Sequence, residues 1–441
     1  MTSSRNIPEN LEDNFCLFMA FSHNSFLFYI ILFHLCRETM NFDYDVTIVG
    51  AGPIGSTLAY ELAKENISVC LIDKKKLIGL PLQCAGIVNK SVLEYNQIPE
   101  ELILNKVKGA NLHSKNQSLS VSKEDDQAII IDRVALDQYL YKRAIEAGAD
   151  SHLSSKVVNV DTLEGQVDFQ TDSKEKTIKS KLIVGADGPL SLVSSAIGND
   201  FNYYCASQYL VEVDDIEEMS FVDLYAYEDL FPGFIWVIPA YNNIFRIGLF
   251  SNHDYKRQNE ILDDFLENDF KYDDYNVIEK YKGKIPIYSK ENKLFENRAL
   301  LIGDAAAQVK PTTGGGLLIG FKTVQIAKKA IMGALNSKEI LEDDNKILQD
   351  IFKTYQKDFE EKFLKEISYQ FKVQKTLCTL SDDDLDYFFI KLKEKNCDEL
   401  ISEYGDIDDQ SVLVKEFLKR GLILSLLPAI HKKELAKIWL L

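Results

Sequence analysis

Short apolar runs that stop at glycine-rich loops recur along this chain. The first run is residues 44–49 (YDVTIV), and it ends at the loop of residues 50–55 (GAGPIG). A continuous apolar run before such a loop is typical of a buried strand in a parallel sheet. Residues 56–65 then have the composition and apolar spacing of a helix, and residues 68–73 (SVCLID) those of a second strand. The pattern predicts a β–α–β unit at the start of the fold.

The strand pattern returns further along the chain. Residues 129–133 (IIIDR) predict a strand that leads into a helix over residues 134–147, and this helix stops at Gly148. The segment therefore fits the same strand–helix scheme. Residues 181–188 and 298–304 are two more buried runs that close in turns. Together these segments predict a mostly parallel sheet.

Between roughly residues 203 and 287 the pattern changes. Short alternating runs at residues 209–213, 235–239 and 245–250 predict an antiparallel sheet. From residue 336 onward the composition predicts charged helices. The acidic cluster at residues 382–384 is expected to cap helices and to face solvent, not to bind a metal.

The first loop has the spacing of a dinucleotide-binding fingerprint. In this G-x-G-x-x-G pattern Gly50 allows the tight turn, Gly52 lets the backbone approach a pyrophosphate, and Gly55 allows the helix to pack closely on the strand. The following helix offers N–H groups and the positive end of its dipole to the phosphates. Asp73 ends the second strand, where an acidic side chain binds the ribose hydroxyls of adenosine. A glycine turn of some other α/β protein is the alternative.

A second glycine-rich loop lies near residue 310. It runs from Gly303 and Asp304 to residues 314–316 (GGG) and leads into a long apolar helix over residues 317–335. Three glycines at a helix start leave room for a flat ligand, and the positive helix end suits the edge of a flavin where negative charge collects on reduction. Asp304 suits a ribityl hydroxyl, or it is a turn acid. Two loops that approach one long ligand at both ends predict FAD, extended across one domain.

The fold class expected from these patterns is α/β, with a Rossmann-like FAD-binding domain, an inserted antiparallel-sheet substrate domain and a C-terminal helical region. The FAD-binding domain is discontinuous and takes residues 42–80, 126–198 and 290–335. The substrate domain takes residues 81–125 and 199–289, and the helical region takes residues 336–441.

Composition narrows the class of ligand. The chain has 441 residues, with 68 acidic against 50 basic side chains and a net charge of −18. Nucleic acid is not expected as a partner, because binding its phosphates requires clustered Lys and Arg. The seven cysteines lack CxxC spacing and the six histidines form no HxxxH pair. Free thiols in a reducing compartment are therefore expected, and a metal site is not.

An N-terminal extension, residues 1–41, precedes these patterns. Its apolar segment at residues 15–36 is just long enough to span a bilayer. The segment lacks a basic n-region and a small-residue cleavage site, so it does not fit a cleaved secretory signal. A functional start near Met40 is favoured over a membrane anchor. If the segment is an anchor, Arg37 on its C-terminal side favours a cytoplasmic catalytic domain.

Several stretches together carry a family resemblance. They are residues 79–88 (GLPLQCAGIV), 132–150, 185–188 (GADG), 231–239 (FPGFIWVIP), 303–306 (GDAA), 311–316 (PTTGGG) and 380–386. From Tyr44 to about Leu392 the chain resembles the geranylgeranyl reductases, particularly the archaeal enzymes that saturate digeranylgeranylglycerophospholipids. Those enzymes belong to a broad flavoprotein class that also contains aromatic hydroxylases.

The resemblance implies the residues that bind FAD. Besides the glycines of the first loop, they are Asp73, Arg133, Asp304, Gly315, Gly316 and Leu317, with Cys84 and Ala85 near the isoalloxazine and Val157 at the adenine through its backbone. The chain departs from the family pattern at Phe234 and Ile238, which replace a Tyr and a Phe, and at Asp73, which replaces a Glu. Ala307 stands where many aromatic hydroxylases have a His, and this favours a reductase.

The activity implied is the saturation of C=C bonds in the geranylgeranyl chains of isoprenoid ether lipids, in membrane phospholipid biosynthesis, with hydride from reduced flavin. Phe234 and Trp236 would then line an apolar substrate site, together with Tyr225 and Phe231. Plain core packing explains these aromatic residues equally well. Cys84 becomes a candidate catalytic residue, for substrate positioning or proton handling, against the common case of a buried structural cysteine.

The partners implied are an isoprenoid lipid and an electron donor, either NAD(P)H or ferredoxin. A cytoplasmic protein in peripheral contact with the membrane is expected because the substrate is a lipid. Two alternatives stay open. One is an NAD(P)H-dependent FAD monooxygenase of an aromatic or apolar substrate, which shares the fold. The other is a flavin-binding protein without turnover.

Overall fold

The described chain is a mixed α/β fold. The computed structural model describes residues 42–172, 174–216, 219–337 and 345–426, together with residues 428, 431, 438 and 439. The strands are β1 (Tyr44–Val49), β2 (Val69–Ile72), β3 (Ile87–Asn89), β4 (Ile103–Val107), β5 (Gly109–His113), β6 (Ser118–Ser122), β7 (Ala128–Ile131), β8 (Asp150–His152), β9 (Lys156–Asp161), β10 (Gln166–Gln170), β11 (Glu175–Gly185), β12 (Tyr203–Val213), β13 (Phe221–Tyr225), β14 (Ile235–Tyr241), β15 (Ile244–Ser251), β16 (Tyr275–Pro286), β17 (Phe295–Glu296) and β18 (Ala299–Leu301). The helices are α1 (Pro53–Ala63), α2 (Leu93–Asn96), α3 (Arg133–Glu146), α4 (Leu192–Ala196), α5 (Tyr255–Asn268), α6 (Leu317–Leu335), α7 (Asn345–Phe359), α8 (Lys365–Leu377), α9 (Asp382–Glu394), α10 (Cys397–Tyr404), α11 (Ser411–Lys419) and α12 (Ile423–Leu426). The chain divides into two units after Asp43, and all these elements belong to the second unit, Tyr44–Leu441.

A parallel sheet carries the β–α–β unit that the sequence predicts. Its parallel strands lie in the order β18-β11-β1-β2-β8, with β1 in the middle. Val46 and Ile48 of β1 are fully buried, as expected for a continuous apolar run. β17 pairs antiparallel with β18 at one edge, and β11 continues into an antiparallel arm with β10 and β9.

Helices bury their apolar sides in the same core as this sheet. Leu58 and Leu62 of α1, four residues apart, lie in one cluster with Ile331 of α6. Gly320 lets α6 approach closely, because a Cβ there would lie 2.3 Å from the side chain of Ile54. α7 adds Tyr355, whose hydroxyl donates to the carbonyl oxygen of Leu301 in β18 at 2.7 Å.

The segment at residues 129–133 forms the expected strand and helix but in a different sheet. β7 runs antiparallel to β3 and β4 in a separate three-stranded sheet, so it does not extend the β–α–β scheme. The helix that follows, α3, leads instead into β8, which adds to the parallel sheet beside β2. β8 has only three residues (DSH). So short a polar strand leaves no periodic signal in the sequence.

The antiparallel sheet predicted in the middle of the chain is also present. Its strands lie in the order β16-β12-β15-β14-β13-β5-β6, and every pair is antiparallel except β13 with β5. Side chains alternate along each strand. Phe245, Ile247 and Leu249 of β15 pack in one cluster with α5. Arg246 and Gly248 lie on the other face, which we call the inner face.

The C-terminal region is helical, as predicted. α7 continues through a π-helical stretch, Glu360–Leu364, into α8. Ser381 and Asp384 form a reciprocal capping box at the start of α9, so this part of the acidic cluster caps a helix. Among the described residues no helix is both long and apolar enough to cross a bilayer. The apolar segment at residues 15–36, Arg37 and the start near Met40 lie outside the described residues, and the domain boundaries remain a prediction.

Candidate functional site

The first glycine loop connects β1 to α1. Gly50 has a φ of +104°, and a Cβ on it would lie 2.2 Å from the carbonyl oxygen of Ala186. A Cβ on Gly55 would lie 2.0 Å from the carbonyl oxygen of Gly50. A Cβ on Gly52 would meet nothing within 4 Å. The fold itself therefore requires Gly50 and Gly55, whereas Gly52 leaves open space at the N-terminus of α1, where anions bind.

The carboxylate of Asp73 lies beside this loop. One oxygen accepts the backbone N–H of Ala51 at 2.8 Å, and the other accepts the N–H of Lys75 at 2.8 Å. Each oxygen keeps a second lone pair for a ligand hydroxyl. The backbone carbonyl of Asp73 accepts the N–H of Ser155 at 2.9 Å. This bond brings the start of β9, where Val157 lies, to the same end of the sheet as the loop.

The second glycine loop lies against the first helix. A Cβ on Gly303 would lie 3.4 Å from the side chain of Ile54, which is in α1. A Cβ on Gly316 would lie 3.1 Å from Oδ1 of Asp304, so this carboxylate faces the glycines before α6. Leu317 starts α6 and is partly buried in the neighbouring apolar cluster. Two loops far apart in the sequence are thus brought side by side.

Residues of the C-terminal region also contact the second loop. The ammonium group of Lys310 lies 2.5 Å from Oδ1 of Asp408. The stem of Lys310 passes close to Gly315, where a Cβ would lie 2.9 Å from Cε of the lysine. Nε2 of Gln374 in α8 donates to the carbonyl oxygen of Pro311 at 2.6 Å. The loop is therefore fixed from the C-terminal side as well as by α1.

Arg133 and Asp304 are charged side chains that lie largely buried where α3 meets the second loop. Nη2 of Arg133 donates to Oδ1 of Asp137 at 3.0 Å, and its buried Nε has no partner among the described residues. Burial acts to lower the pKa of Arg133, but Asp137 and Cys84 outweigh it and raise the pKa, so the guanidinium stays charged. Burial raises the pKa of Asp304 to about 6, against the opposing effect of Arg133. An unpaired N–H and an acid that can donate or accept near neutral pH suit the oxygens of a ligand.

The segment Cys84–Gly86 lies between β7 and the inner face of the seven-stranded sheet. Its three carbonyl oxygens accept, in order, Nε2 of Gln208 at 3.3 Å, Nη1 of Arg246 at 2.9 Å and the N–H of Ile131 at 2.9 Å. The sulfur of Cys84 accepts the N–H of Gly86 at 3.4 Å. The segment is therefore held on both sides.

Two residues of this arrangement were not expected from the sequence. Gln208 is 6% exposed and links the backbone of Cys84 to Trp236, whose indole N–H donates to Oε1 of the glutamine at 3.2 Å. Arg246 is 3% exposed. A signal for Arg246 exists in the sequence, because it is the one charged residue in the apolar run of residues 244–250 (IFRIGLF). The sequence around Gln208 carries no such signal.

Aromatic rings extend across the inner face. Trp236 lies in one apolar cluster with Ala85. Its ring lies 6.2 Å from that of Phe234, which is 5.4 Å from the ring of Phe250, which is 5.8 Å from the ring of Tyr204. We call these four side chains the aromatic row. It begins beside the segment where the sequence predicts the isoalloxazine.

The other two aromatic residues expected at a substrate site lie elsewhere. Tyr225 lies edge-on to Phe265 of α5 at 4.8 Å, on the face opposite the aromatic row. Phe231 packs with Leu380 and Leu385 of the C-terminal region. For these two residues core packing is the better explanation.

A family model described as "FAD binding domain" matches residues 43–336. This range contains both glycine loops, Asp73, Arg133 and Asp304. The open space at Gly52, the unpaired Nε of Arg133 and the glycines before α6 fit a long ligand held at both ends. FAD is therefore the cofactor of this chain.

Two relatives and one solved structure indicate the family to which this chain belongs. Digeranylgeranylglycerophospholipid reductase 1 of Methanococcoides burtonii is 32% identical over 80% of this chain and 89% of its own length. The digeranylgeranylglycerophospholipid reductase of Methanocaldococcus jannaschii is 29% identical over 79% of this chain and 90% of its own length. A solved structure of a geranylgeranyl bacteriochlorophyll reductase-like protein from Thermoplasma acidophilum has the same fold, with a TM-score of 0.76 and 23% identity over 90% of this chain and 99% of that chain. The chain belongs to the geranylgeranyl reductase family of FAD-binding flavoproteins.

Proposed function

We propose that this chain is an FAD-dependent reductase that saturates C=C bonds in the geranylgeranyl chains of isoprenoid ether lipids. The observation that carries the proposal is the likeness to a reductase named for such a lipid, at 32% identity over 80% of the chain. The arrangement of the site agrees with it, because an apolar aromatic row lies beside the segment that contains Cys84 and Ala85.

The chemistry explains why such a row is useful. An isolated prenyl double bond is barely polarised, so its reduction depends on holding the alkene in place without water. FAD, when bound, supplies a hydride to one carbon, and the other carbon needs a proton. The rings of Trp236 and Phe234 offer an apolar surface for the prenyl chain. Gln208 accepts the indole N–H of Trp236, which would otherwise lack a partner in an apolar site.

We propose a role for Cys84 in substrate positioning or proton handling. Unlike Cys70, which is fully buried in the core of the parallel sheet, Cys84 is only partly buried. It lies near the charges of both Arg133 and Arg246. We expect Cys84→Ser to slow lipid reduction about tenfold or more with FAD affinity unchanged, and Cys70→Ser to leave the turnover rate unchanged. Equal rates in both variants and the wild type would remove Cys84 from the mechanism.

The electron donor proposed is NAD(P)H or ferredoxin. Rapid mixing of the oxidised holoprotein with NADPH, NADH or reduced ferredoxin, without oxygen, would measure which donor bleaches the flavin absorbance. The physiological electron donor should bleach the flavin absorbance within the turnover time of the enzyme. If none of the three does so, the donor assignment is wrong.

We also propose that the protein is cytoplasmic and contacts the membrane surface peripherally, because its substrate is a lipid. Sedimentation with liposomes, using protein that begins at Met40, tests this contact without residues 15–36. Recovery of all protein in the supernatant would contradict it.

The function itself is tested by mass spectrometry of a digeranylgeranyl phospholipid after anaerobic incubation with the dithionite-reduced, FAD-loaded protein. Stepwise gain of hydrogen pairs is the expected result. Free FAD with dithionite and the oxidised protein without dithionite are the controls, and neither should change the lipid. An unchanged lipid with reduced flavin bound would defeat the assignment, and oxygen incorporation in air with NADPH would indicate the monooxygenase.

A further inference from the structure

Arg246 is a buried cation on the inner face of the seven-stranded sheet. It is 3% exposed, and no carboxylate lies within ion-pair distance of it among the described residues. Burial lowers its pKa, against the opposing effects of Cys84 and Asp132. Burying a charge without a counter-charge is unfavourable. Its presence in an apolar strand therefore calls for an explanation at the site it faces.

The hydrogen bonds of Arg246 among the described residues go to the segment Cys84–Gly86 and to the adjacent end of β7. Nη1 donates to the carbonyl oxygen of Ala85 at 2.9 Å and to that of Ile131 at 3.2 Å. A Cβ on Gly86 would lie 1.9 Å from Nη1, so the glycine is needed for this approach. Gln208 holds the preceding carbonyl, that of Cys84, in the same way. These bonds fix the direction in which the peptide groups of the segment point.

One consequence concerns two backbone N–H groups of this segment. With the carbonyl groups of Cys84 and Ala85 directed at the sheet, their backbone N–H groups donate no hydrogen bond within the described part of the chain. Both residues are partly buried, and N–H groups in such places pair with water or with a ligand. A ligand with acceptor atoms along its edge would provide a partner here.

The competing explanation is that Arg246 only supports the fold. A second buried arginine, Arg298, allows a direct comparison within the same chain. Arg298 is also 3% exposed, and it donates to the carbonyl oxygens of Leu163 and Lys181 at 3.0 and 3.2 Å. It lies at the antiparallel arm of the parallel sheet, away from both glycine loops. Arg246 differs in its surroundings, because Cys84, Asp132 and Arg133 act on it electrostatically.

We propose that Arg246 is a positioning residue of the flavin site, which fixes the segment Cys84–Gly86 and adds a positive charge beside it that favours the reduced, negatively charged flavin. The inference rests on FAD binding and on the predicted place of the isoalloxazine at Cys84 and Ala85. It does not depend on the identity of the lipid.

The test compares Arg246→Met, Arg246→Lys and Arg298→Met in the full chain loaded with FAD. Two quantities are measured, the midpoint potential of the bound flavin and the hydrogen–deuterium exchange of a peptide covering residues 83–87. Arg246→Met should weaken the preference for reduced over oxidised flavin about tenfold, a shift of roughly 30 mV to more negative potential. It should also speed exchange in the peptide. Arg246→Lys keeps the charge, so its potential should stay near the wild-type value while exchange still rises.

Arg298→Met controls for the loss of a buried arginine. It should change neither the potential nor the exchange of residues 83–87, although its stability falls. Equal potential shifts in Arg246→Met and Arg298→Met, or unchanged exchange in residues 83–87, would overturn the proposal. If Arg246→Met does not fold, unchanged exchange of residues 83–87 in Arg246→Lys would overturn the proposal instead. Neither readout requires lipid, so failure of the proposed reductase activity would leave this result intact.

Discussion

At the first glycine loop, Gly52 and Gly55 lie three residues apart and have different surroundings. A Cβ on Gly55 would lie 2.0 Å from the carbonyl oxygen of Gly50, which leaves no room for a side chain, whereas a Cβ on Gly52 would meet nothing within 4 Å. We therefore expect Gly55 to be needed for folding and Gly52 for binding the ligand. The sequence motif alone does not separate these two roles.

Alanine substitutions should separate them. Gly55→Ala must shift the backbone, so we expect a loss of about 1–3 kcal/mol in the free energy of unfolding of the FAD-free protein. Gly52→Ala should leave that free energy within about 0.5 kcal/mol of the wild-type value, yet weaken FAD binding about tenfold, because its methyl group occupies ligand space. Urea unfolding and quenching of flavin fluorescence measure the two quantities. Equal stability losses in both variants would contradict the division of roles.

Asp304 should make the stability of the FAD-free protein depend on pH. Burial raises its pKa from 3.8 to about 6, so between these values the folded state binds more protons than the unfolded state. Stability from this group therefore falls as the pH rises from about 4 to about 6. Asp304→Asn carries no charge, and we expect it to be more stable than the wild type at pH 7.5 by up to about 3 kcal/mol, with a smaller gap at pH 4.5. It should bind FAD more weakly.

The measurement is urea unfolding of both proteins at the two pH values, with FAD removed. A gap of the same size at pH 4.5 and pH 7.5 would show that the carboxyl group of Asp304 titrates normally. A stabilised Asp304→Asn that binds FAD as well as the wild type would remove the acid from the flavin site.

At the residue scale, the sequence predicts what depends on local spacing. The loop glycines, Asp73 and Asp304 are local features, because their roles follow from a turn and the element after it. Gln208 and Arg246 act through partners more than a hundred residues away in the sequence. Nothing in their neighbourhood specifies those partners, so only the folded chain reveals them.

At the element scale, the two faces of the seven-stranded sheet differ at β14 and β15: one packs against α5, and the other carries the aromatic row. Phe245 is 2% exposed and packs in the cluster under α5. Phe234, the residue before β14, is only partly buried and belongs to the aromatic row. Consecutive residues of a strand lie on opposite faces of the sheet, as Phe245 and Arg246 do in β15. One sheet thus combines a conventional core with a surface suited to an apolar ligand.

Truncating one ring on each surface tests this division. Phe245→Ala should lower the free energy of unfolding by about 3–5 kcal/mol, since it leaves a cavity in a closed core. Phe234→Ala should cost less than about 2 kcal/mol but raise the KM for the prenyl lipid several-fold, with FAD affinity unchanged. Thermal unfolding and steady-state kinetics measure the two effects. If Phe234→Ala leaves the KM unchanged, the aromatic row is core packing only.

Elements with a long, regular pattern were predicted well, and short ones were not. β1 and α6 have the predicted bounds, because their apolar runs are continuous and end at glycines. β7 and α3 were also predicted, but the sheet to which β7 belongs was not. Strand pairing depends on partners that are distant in the sequence. β8, which lies in the parallel sheet where β7 was expected, has only three polar residues and therefore no apolar pattern that would predict it.

At the scale of the whole molecule, the C-terminal region contacts the second glycine loop, where we predict the flavin to bind. Lys310 lies within the second loop, just before residues 311–316, and its partner Asp408 lies almost a hundred residues later. Both side chains are largely buried, at 9% and 18% exposure. Since the stem of Lys310 contacts Gly315, the position of the glycines before α6 depends on this pair. Folding of the C-terminal region and binding of FAD should therefore be coupled.

Asp408→Asn tests the coupling. The substitution keeps the shape of the side chain but leaves the ammonium group of Lys310 buried without its counter-charge, and we expect a loss of about 3 kcal/mol in the free energy of unfolding. Because the lysine can then move away from Gly315, FAD affinity should fall about tenfold, although neither residue of the pair is predicted to contact the cofactor. Asp350→Asn removes an exposed partner of Lys353 and should change neither quantity. A destabilised Asp408→Asn with wild-type FAD affinity would mean that the pair supports the C-terminal helices without fixing the loop, and that the second glycine loop is ordered by α1 and α6 alone.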